Sequence, residues 1–466
     1  MAIDASTMAV FDRALFAFTI ATHIIVVCTT IGLAIVISVA EYLSISRKDK
    51  HFGALWKRLS KVLVISFGVG TASGIVMAVE MVMLFPGFMT LVSQTGVIAI
   101  FYAEVFAFFL ETIALVMYVY YPDRLKGKYT HWSLSLVVLV GTLLSAVLII
   151  MVNAWMNTPN GFDIGTYIQT GTVTGVNAWA PFSTSSTLSE EVHAVPTVAL
   201  TGLMIVAAFF MWFRQRSTDV EERKMLNKGL KITTTLGIFL IVVAVLSGMN
   251  EITTVLHDQP LKYSALELDP NPGSNLAERV FGSWPNAPYG QPTGGILIPG
   301  AQSFLLQIET GNSSGPGLSE FPNSNWPPLW IHTTFDLMVV GGMLLGLFFL
   351  FCFFYWWILR RDLFESKIFT YGMIPVSIFT LIILEDGWVT AEVGRQPWIV
   401  YNVLTVQQAA NNSTSILIPG LLIVAFYLII VPVSYYFMAR IYRAHPPMEK
   451  DEATPEDDSP GEGGDP

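Results

Sequence analysis

The sequence has 466 residues, of which 53% are hydrophobic and only 13% are charged, and its mean hydropathy is +0.56. Soluble globular domains carry roughly 25% charged residues, so this composition excludes a protein that faces water on all sides. The formal net charge of −10 indicates little about partners, because much of it follows Lys450. That stretch is rich in Asp, Glu, Pro and Gly, and we predict a disordered acidic tail at 445–466 after a membrane domain at 1–444.

Apolar runs long enough to cross a bilayer recur along most of the chain. They predict an all-α, polytopic membrane bundle of nine transmembrane helices. The first run is too long for the apolar part of a cleavable signal peptide, so we expect it to remain as span 1. The predicted spans 1 to 9 are 14–42, 60–86, 96–121, 132–156, 193–213, 230–256, 329–359, 368–391 and 416–439.

Positive charge is distributed unevenly over the connections between the spans. Of the 25 Lys and Arg residues, 21 lie in the connections after spans 1, 3, 5 and 7 or after span 9. Basic loops stay on the cytoplasmic side, so we predict the N-terminus outside and the C-terminus inside. Two predicted outer connections, 157–192 and 257–328, are long and rich in Gly, Pro, Ser, Thr and Asn, which is typical of functional or disordered loops.

Span 3 contains two carboxylates within its apolar run. Glu104 and Glu111 are seven residues apart, and seven steps of 100° bring them to one helix face about 10 Å apart. Charged groups inside spans are costly and usually mark function. The pair therefore favours a proton or cation relay, or a ligand to a metal centre. The alternative is a hydrogen bond from this face to a neighbouring span.

Four more side chains of metal-ligand type fall in the outer half of the predicted bundle: His23 in span 1, His193 in span 5, Met338 in span 7 and Glu385 in span 8. Each is ordinary alone, because a single His in an apolar helix is usually structural and most of the 18 Met residues must be packing residues. Together with Glu104 they form a set of haem axial-ligand types at similar depth. The histidines predicted on the inner side are expected to be solvated: His51, His131 and His445.

Short motifs lie at the ends of spans 3, 4 and 8. Span 3 has AFFLET at 107–112, followed by DRL at 123–125, and span 4 has LSA at 144–146 and NAWM at 153–156. At the outer end of span 8, EDGW at 385–388 precedes a GRQPW segment formed by Gly394, Arg395, Gln396, Pro397 and Trp398. These motifs, together with the span count, resemble subunit I of the cytochrome bd oxidases, and the GRQPW segment is the most specific of them.

The resemblance implies three haems near the outer face. His193 and Met338 match the axial pair of a low-spin haem b, which takes electrons from quinol. His23 and Glu104 match the axial positions of the oxygen-reducing haem, usually a haem d, and Glu385 matches the ligand of a high-spin haem b. Met/His ligation leaves no open coordination position and suits electron transfer, whereas oxygen reduction needs an open position.

Further residues match family positions around the haems and along a proton path. Three of them match positions close to the oxygen-site haems and join Glu104 and Glu111 in the expected catalytic set: Arg13, Asn153 and Trp155. The expected proton path towards the inner side consists of Glu111, Thr112, Ser145 and Asp123.

The outer loop 257–328 resembles the quinol-binding segment of the family. Within it, Lys262 and Glu267 match the two residues held to contact quinol. The alternative is a flexible loop on which both charges are solvated.

The resemblance implies an electrogenic, non-pumping quinol oxidase in the cell membrane of a prokaryote. Quinol would be oxidised at the outer face, and O2 would be reduced to water with protons taken from inside. Family members pair with a homologous second membrane subunit and sometimes with a small single-span subunit. Two alternatives stay open: a haem b electron-transfer subunit that does not reduce oxygen, and a non-redox ion transporter that uses the paired glutamates.

The sequence departs from the family pattern at three places. Asp336 stands two residues before Met338, where the family usually has Arg, which can offset the charge of a haem propionate. Glu104 and Glu111 are seven residues apart, whereas some members have a spacing of eight. Leu381 stands where many members have Trp. The choice between haem d and a further haem b, and the choice of quinol, therefore stay open.

Overall fold

The computed structural model describes residues 5–122 and 126–444, and within these ranges it confirms the nine predicted spans. The nine long helices therefore keep the names span 1 to span 9. Residues 445–466, for which an acidic tail is predicted, lie outside the described ranges. The helices are Ala5–Arg47, Lys50–Leu84, Val97–Tyr120, Lys128–Asn157, Thr187–Arg216, Val220–Asp258, Ile331–Phe353, Lys367–Val393 and Leu417–Ala444, and the π-helical turn Phe354–Ile358 extends span 7.

Most spans extend beyond their apolar runs, and polar side chains in the loops cap the starts of three of them. Asp49 accepts a hydrogen bond from the backbone N–H of His51 and starts span 2 ten residues earlier than expected. Asp219 and Ser366 cap spans 6 and 8 in the same way. The capped turns are too polar to count as membrane-spanning, which is why the apolar pattern alone missed them.

Small residues allow the central spans to pack closely. Span 1 packs against spans 2, 4, 5, 6 and 9, and span 8 packs against spans 5 and 7. Spans 1 and 5 cross at Gly32 and Gly202, where a Cβ on Gly32 would lie 2.2 Å from the carbonyl oxygen of Gly202. Such close crossings are typical of membrane helices, which associate through van der Waals contact between small residues.

The bundle has two ends that differ in composition. The basic end carries the short connections after spans 1, 3, 5 and 7, together with the end of span 9. The long-loop end carries the connections after spans 2, 4, 6 and 8. A dense apolar core fills the half of the bundle next to the basic end, and its largest fully buried side chains include Phe210, Phe349, Phe369 and Tyr442.

The long connection between spans 6 and 7 is a folded unit. It contains the loop helix Pro260–Glu267, a second helix Ala301–Thr310 and an antiparallel pair of strands, Glu278–Val280 and Ile296–Ile298. A core of its own packs it onto the ends of spans 6 and 7, with Leu261, Leu266, Trp284, Leu306 and Leu318 among the buried residues.

The other long-loop connections are also ordered. They contain short helices Pro86–Gln94, Ile164–Thr170 and Val406–Ala409, and a hairpin of Trp398–Val400 with Leu404–Thr405. The long-loop end is therefore a structured cap over the bundle.

Candidate functional site

His23 and His193 have matching surroundings on two different helix pairs. The Nδ1 atom of His23 lies 2.7 Å from the Ser73 hydroxyl on span 2, and Nδ1 of His193 lies 3.2 Å from the Ser247 hydroxyl on span 6. In each case the next residue after the serine is a glycine facing the ring: a Cβ on Gly74 or Gly248 would lie 3.5 or 3.3 Å from the histidine Cε1. The bond at Nδ1 orients each ring and leaves Nε2 for a ligand.

The two histidines also lie at the same depth. Each precedes the glycine at the crossing of spans 1 and 5 by nine residues, and both spans run from the long-loop end towards the basic end. Nine residues of helix span about 13.5 Å, so both rings lie on the long-loop side of the crossing.

Met338 and Glu385 lie on spans 7 and 8, which pack against each other. A Cβ on Gly387 would lie 3.0 Å from the Met338 sulfur, so this glycine lets the side chain of Met338 approach span 8 closely. Oε1 of Glu385 is buried and has no hydrogen-bond partner. A buried polar atom without a partner costs about 1–3 kcal/mol, which is the condition expected of a side chain that binds a further group.

The two carboxylates of span 3 both face span 4, as their spacing predicts. Ser145 donates a hydrogen bond to Oε1 of Glu104, whose Oε2 is buried without a partner. Thr142 donates a hydrogen bond of 2.5 Å to Glu111, which is only 3% exposed. Both the relay and the helix–helix hydrogen bond considered for this face are therefore compatible with the geometry at Glu111.

Two expected members of the proton path, Ser145 and Thr112, form hydrogen bonds to groups other than Glu111. Ser145 contacts Glu104, on the long-loop side of Glu111, so it does not bridge the interval from Glu111 to the basic end. The Thr112 hydroxyl donates to the carbonyl of Phe108 in its own helix. Asp123 lies outside the described residues. Thr142, which the sequence motifs do not mark, is the residue that contacts Glu111.

The GRQPW segment joins spans 4 and 8 through Arg395, which is 1% exposed. Its guanidinium donates to the side-chain oxygen of Asn157 at 2.8 Å and to Glu392 at 2.6 Å. Asn153 donates to the other oxygen of the Glu392 carboxylate. The two terminal nitrogens of this buried cation are thus directed by neighbours on spans 4 and 8, and Glu392 balances its charge.

The remaining residues of the expected catalytic set lie around the same segment. Arg13 of span 1 donates to the Gln396 side chain at 3.3 Å. Trp155 is fully buried, and its indole N–H donates to the carbonyl of Asn160 at 3.0 Å. The GRQPW segment therefore contacts span 1, while Trp155 fixes the long-loop end of span 4.

Lys262 is buried beneath the GRQPW segment rather than solvated. It is 5% exposed, and its ammonium donates to the carbonyl of Ala391 at 3.2 Å. A Cβ on Gly394 would lie 2.8 Å from Cε of Lys262, so this glycine makes room for the lysine. Burial lowers the pKa of Lys262, and the nearby charge of Arg395 lowers it further.

Glu267 lies at the other end of the same loop helix and is 7% exposed. Burial raises its pKa well above the ordinary value, and the nearby carboxylates of Glu278 and Asp269 raise it further. Burial also raises the pKa of Asp269, to about 7, against a 2.5 Å hydrogen bond from Gln302 that lowers it. The alternative of a flexible loop with solvated charges is therefore wrong, because the loop has its own apolar core.

Asp336, which departs from the family pattern, is 4% exposed, and one of its carboxylate oxygens has two partners. It accepts a 2.6 Å hydrogen bond from the backbone N–H of Phe281 and lies 3.2 Å from Nε2 of His332. The ring of His332 also contacts the carbonyl of Leu266 at 2.6 Å. Asp336 thus ties span 7 to the folded loop that carries Glu267.

The fold and the site define a class: a multi-pass helical membrane protein whose ligand-type side chains collect in one half of the bundle. The model of the family described as cytochrome bd terminal oxidase subunit I matches residues 11–446. The chain therefore belongs to this family, and it is a haem-binding subunit of a membrane complex in a prokaryotic plasma membrane.

Individual relatives agree over nearly the whole length. The putative cytochrome bd menaquinol oxidase subunit I of Bacillus subtilis is 31% identical, over 94% of this chain and 97% of that relative. The cytochrome bd-II ubiquinol oxidase subunit 1 of Escherichia coli is 23% identical, over 92% and 95%. The solved structure of bd oxidase from Geobacillus thermodenitrificans superimposes with a TM-score of 0.85 at 27% identity, covering 95% of this chain and 100% of that chain.

The residues present fit a haem protein of this family. Two histidines with oriented rings, a methionine facing a glycine, and two glutamates with a buried free oxygen supply ligand types that haem iron accepts. The serines that orient the histidines escaped the sequence motifs. The Ser-Gly pairs at 73–74 and 247–248 are the signal that would have found them.

Proposed function

We propose that this chain is the haem-bearing subunit of a quinol:oxygen oxidoreductase that works at the long-loop end of the bundle. The observation that carries the proposal is the gathering of five ligand-type side chains in one half of the bundle. His193, Met338, Glu104 and Glu385 lie six to eight residues inside their span ends, and His23 lies at the depth of His193.

We assign the ligands as the family match suggests. His193 and Met338 would hold the low-spin haem b, His23 and Glu104 the oxygen-reducing haem (d, or a further b), and Glu385 the high-spin haem b. When bound, the haems supply electron transfer and oxygen reduction. Ser73 and Ser247 donate their own hydroxyl hydrogens to the carbonyls of Gly70 and Ala244, so each accepts from the N–H at Nδ1 of its histidine, which leaves Nε2 as the ligand atom.

Quinol is the electron donor, and the loop helix Pro260–Glu267 is its binding segment. Lys262 supports this role because it is buried among charges on spans 5, 6 and 8, and burial lowers its pKa. Glu267 supports it because it is buried at the other end of the same helix, where burial and the nearby carboxylates of Glu278 and Asp269 raise its pKa. Lys262 would donate hydrogen bonds to quinol at one end of the helix, and Glu267 would exchange protons at the other.

The protons consumed in reducing oxygen to water travel along span 3, from the basic end towards the long-loop end. Glu111 is buried in an apolar interval between the basic end and Glu104, so it can hold a proton midway and pass it on. With the long-loop end outside and the basic end inside, quinol oxidation releases protons outside while oxygen reduction consumes protons from inside. The charge separation needs no pumping.

The proposal includes the partner subunits of this chain. A homologous second membrane subunit, with or without a small single-span subunit, completes the complex. The lipid-facing spans offer large apolar side chains to bilayer or partner, for example Phe106 at 74% and Ile418 at 72% exposure.

The test is purification of the complex from its native membrane, followed by haem extraction, an absorption spectrum and oxygen uptake with a quinol. We expect haem b with or without haem d, and uptake that requires quinol. Haem b without quinol-dependent uptake would favour the electron-transfer subunit. A complex without haem would contradict the proposal and favour the transporter.

A further inference from the structure

A second group of buried ionisable side chains lies near the basic end, away from the proposed haem ligands. Glu41 of span 1 is 2% exposed and accepts a 2.7 Å hydrogen bond from the Tyr118 hydroxyl of span 3. The other oxygen of Glu41 lies 2.5 Å from Nδ1 of His131 at the start of span 4. The prediction that His131 is solvated is wrong, since only 12% of its side chain is exposed.

Tyr118 continues the column of groups formed by the two glutamates of span 3. It follows Glu111 by seven residues, as Glu111 follows Glu104, and each step of seven turns the helix face by only about 20°. Each step also advances about 10.5 Å along the helix axis. Glu104, Glu111 and Tyr118 therefore face span 4 at three successive depths, from the long-loop end towards the basic end.

Hydroxyl groups occupy part of the interval between the cluster and Glu111. Ser135 lies one turn after His131 on span 4, and the Ser38 hydroxyl donates to its carbonyl at 3.1 Å. Trp132 donates to the carbonyl of Ser38 at 3.0 Å and holds the two spans together. Two further turns, about 10 Å, separate Ser135 from Thr142, which is a distance that a few hydrogen-bonded waters can bridge.

The hydrogen bonds of His131 restrict where its protons are. Nε2 lies 3.1 Å from the carbonyl of Tyr118, so this nitrogen carries a hydrogen. The contact between Nδ1 and Glu41 then contains a single proton, held by either partner. His131 is also the most exposed of the three side chains, so it is the member through which the cluster can exchange with water.

We propose that Glu41, held between His131 and Tyr118, loads protons from the basic end for delivery to Glu111. This role rests on the proposed oxidase function. In one cycle, the Tyr118 hydroxyl turns away from Glu41 and releases its proton towards Glu111, and the Tyr118 oxygen takes the proton of Glu41 in exchange. The pair of Glu41 and His131 then regains one proton from water. One proton enters and one leaves, and no covalent bond between heavy atoms changes.

A second acid–histidine pair, His51 with Glu221, provides a matched control for the pair of Glu41 and His131. At the same end, Nε2 of His51 lies 3.0 Å from the Glu221 carboxylate. Glu221 is on span 6 and 38% of its side chain is exposed, and no described contact links it to span 3. Replacing Glu221 changes an acid–histidine pair of the same kind and location without touching the proposed path.

The experiment uses the intact complex, reconstituted in lipid vesicles, with the variants Glu41→Gln, Glu41→Asp and Glu221→Gln. For Glu41→Gln we expect a fall in kcat of about tenfold or more, with the quinol KM and the haem spectrum unchanged. The solvent deuterium isotope effect should rise, because proton delivery becomes rate-limiting. Glu41→Asp should recover part of the rate, and Glu221→Gln should match the unaltered complex.

A Glu111→Gln variant separates the two levels of the argument. If it stalls oxygen reduction while Glu41→Gln keeps normal turnover and isotope effect, the loading role of Glu41 is overturned and the oxidase proposal stands. If both turn over normally, the proposed path along span 3 itself is wrong. If Glu41→Gln fails to assemble, Tyr118→Phe carries the same test, since it removes one hydroxyl and keeps the ring.

Discussion

The two halves of the bundle treat buried carboxylates differently. Near the basic end, both oxygens of Glu41 have hydrogen-bond partners. Near the long-loop end, Glu104 and Glu385 each keep one buried oxygen without a partner. Burying an unpaired polar atom is costly, so proteins satisfy such atoms where only stability is at stake. The difference indicates that the basic half is built for packing and proton supply, and the long-loop half for binding.

The glycines of the two halves also differ in the side chains that they contact. In the long-loop half, Gly74, Gly248 and Gly387 face His23, His193 and Met338, the three neutral ligand candidates. In the basic half, glycines serve helix contacts, as where Phe349 packs onto Gly237. The same residue type therefore makes room for ligand side chains at one end and for apolar rings at the other.

The largest effect is expected from Met338→Leu, which removes a ligand sulfur and keeps the volume. The low-spin haem b signal should disappear or change to a high-spin form, while the other haems stay. His193→Leu should give the same result. Met343→Leu, in the same span but 61% exposed, is the control. An unchanged low-spin spectrum in Met338→Leu would remove this residue from the ligand set.

A loss of roughly a hundredfold or more in oxygen uptake is expected for Glu111→Ala, because the variant lacks the carboxylate proposed to hold the proton between the basic end and Glu104. Reduction of the low-spin haem by quinol should persist, and Glu111→Asp should keep partial activity. Thr142→Val removes the hydrogen bond to Glu111, together with a bond to the carbonyl of Val138 in its own helix, and keeps the Glu111 carboxylate. Equal losses of oxygen uptake in Thr142→Val and Glu111→Ala would show that activity depends on the hydrogen bond between spans 3 and 4 and not on proton transfer by Glu111.

A smaller effect, of about tenfold or 1.4 kcal/mol in kcat/KM for quinol, is expected for Lys262→Met and Glu267→Gln. Haem content should be unchanged, and turnover with an artificial donor that bypasses quinol should be normal. Glu309→Gln, in the same loop, is the control. An equal drop with the artificial donor would exclude the loop helix as the quinol site.

Gly387→Ala should perturb the same haem as Met338→Leu, but more weakly. The added Cβ would lie 3.0 Å from the Met338 sulfur, an overpacking that costs about 1–3 kcal/mol. We expect a shifted low-spin spectrum and a lower midpoint of thermal unfolding. Gly342→Ala on span 7, where a Cβ would meet nothing within 4 Å, should change neither.

The smallest expected effect is a pH dependence in the stability of the folded loop between spans 6 and 7. The pKa of Asp269 is about 7 because of burial, above its ordinary value of 3.8, so between these values the folded loop binds more protons than the unfolded one. Through Asp269 alone, the stability of the loop should therefore fall as pH rises from about 4 to 7, by at most about tenfold per pH unit in the opening constant. Hydrogen exchange of the loop amides, corrected for intrinsic rates, measures this.

Asp269→Asn keeps an acceptor for Gln302 and removes the titration, so the pH dependence should become shallower. Glu267 and Glu278, whose pKa values burial also raises, account for the slope that stays. An unchanged slope in Asp269→Asn would assign the whole dependence to those two glutamates.

The sequence alone determined the nine spans, because the bilayer requires about 20 apolar residues in each helix whatever its neighbours are. The shared face of Glu104 and Glu111 followed equally from helix geometry. The family motifs added candidate ligands. The structure places these in one half of the bundle, and their roles stay predictions.

Only the tertiary structure decided which groups are partners. Arg13 meets Gln396 across 383 residues of sequence, and His131 meets Glu41 across 90. No local pattern marks such pairs, because they depend on how separate helices pack. The same holds for the loop carrying Lys262: its composition is that of a flexible segment, and only contacts with spans 6, 7 and 8 make it ordered and its charges buried.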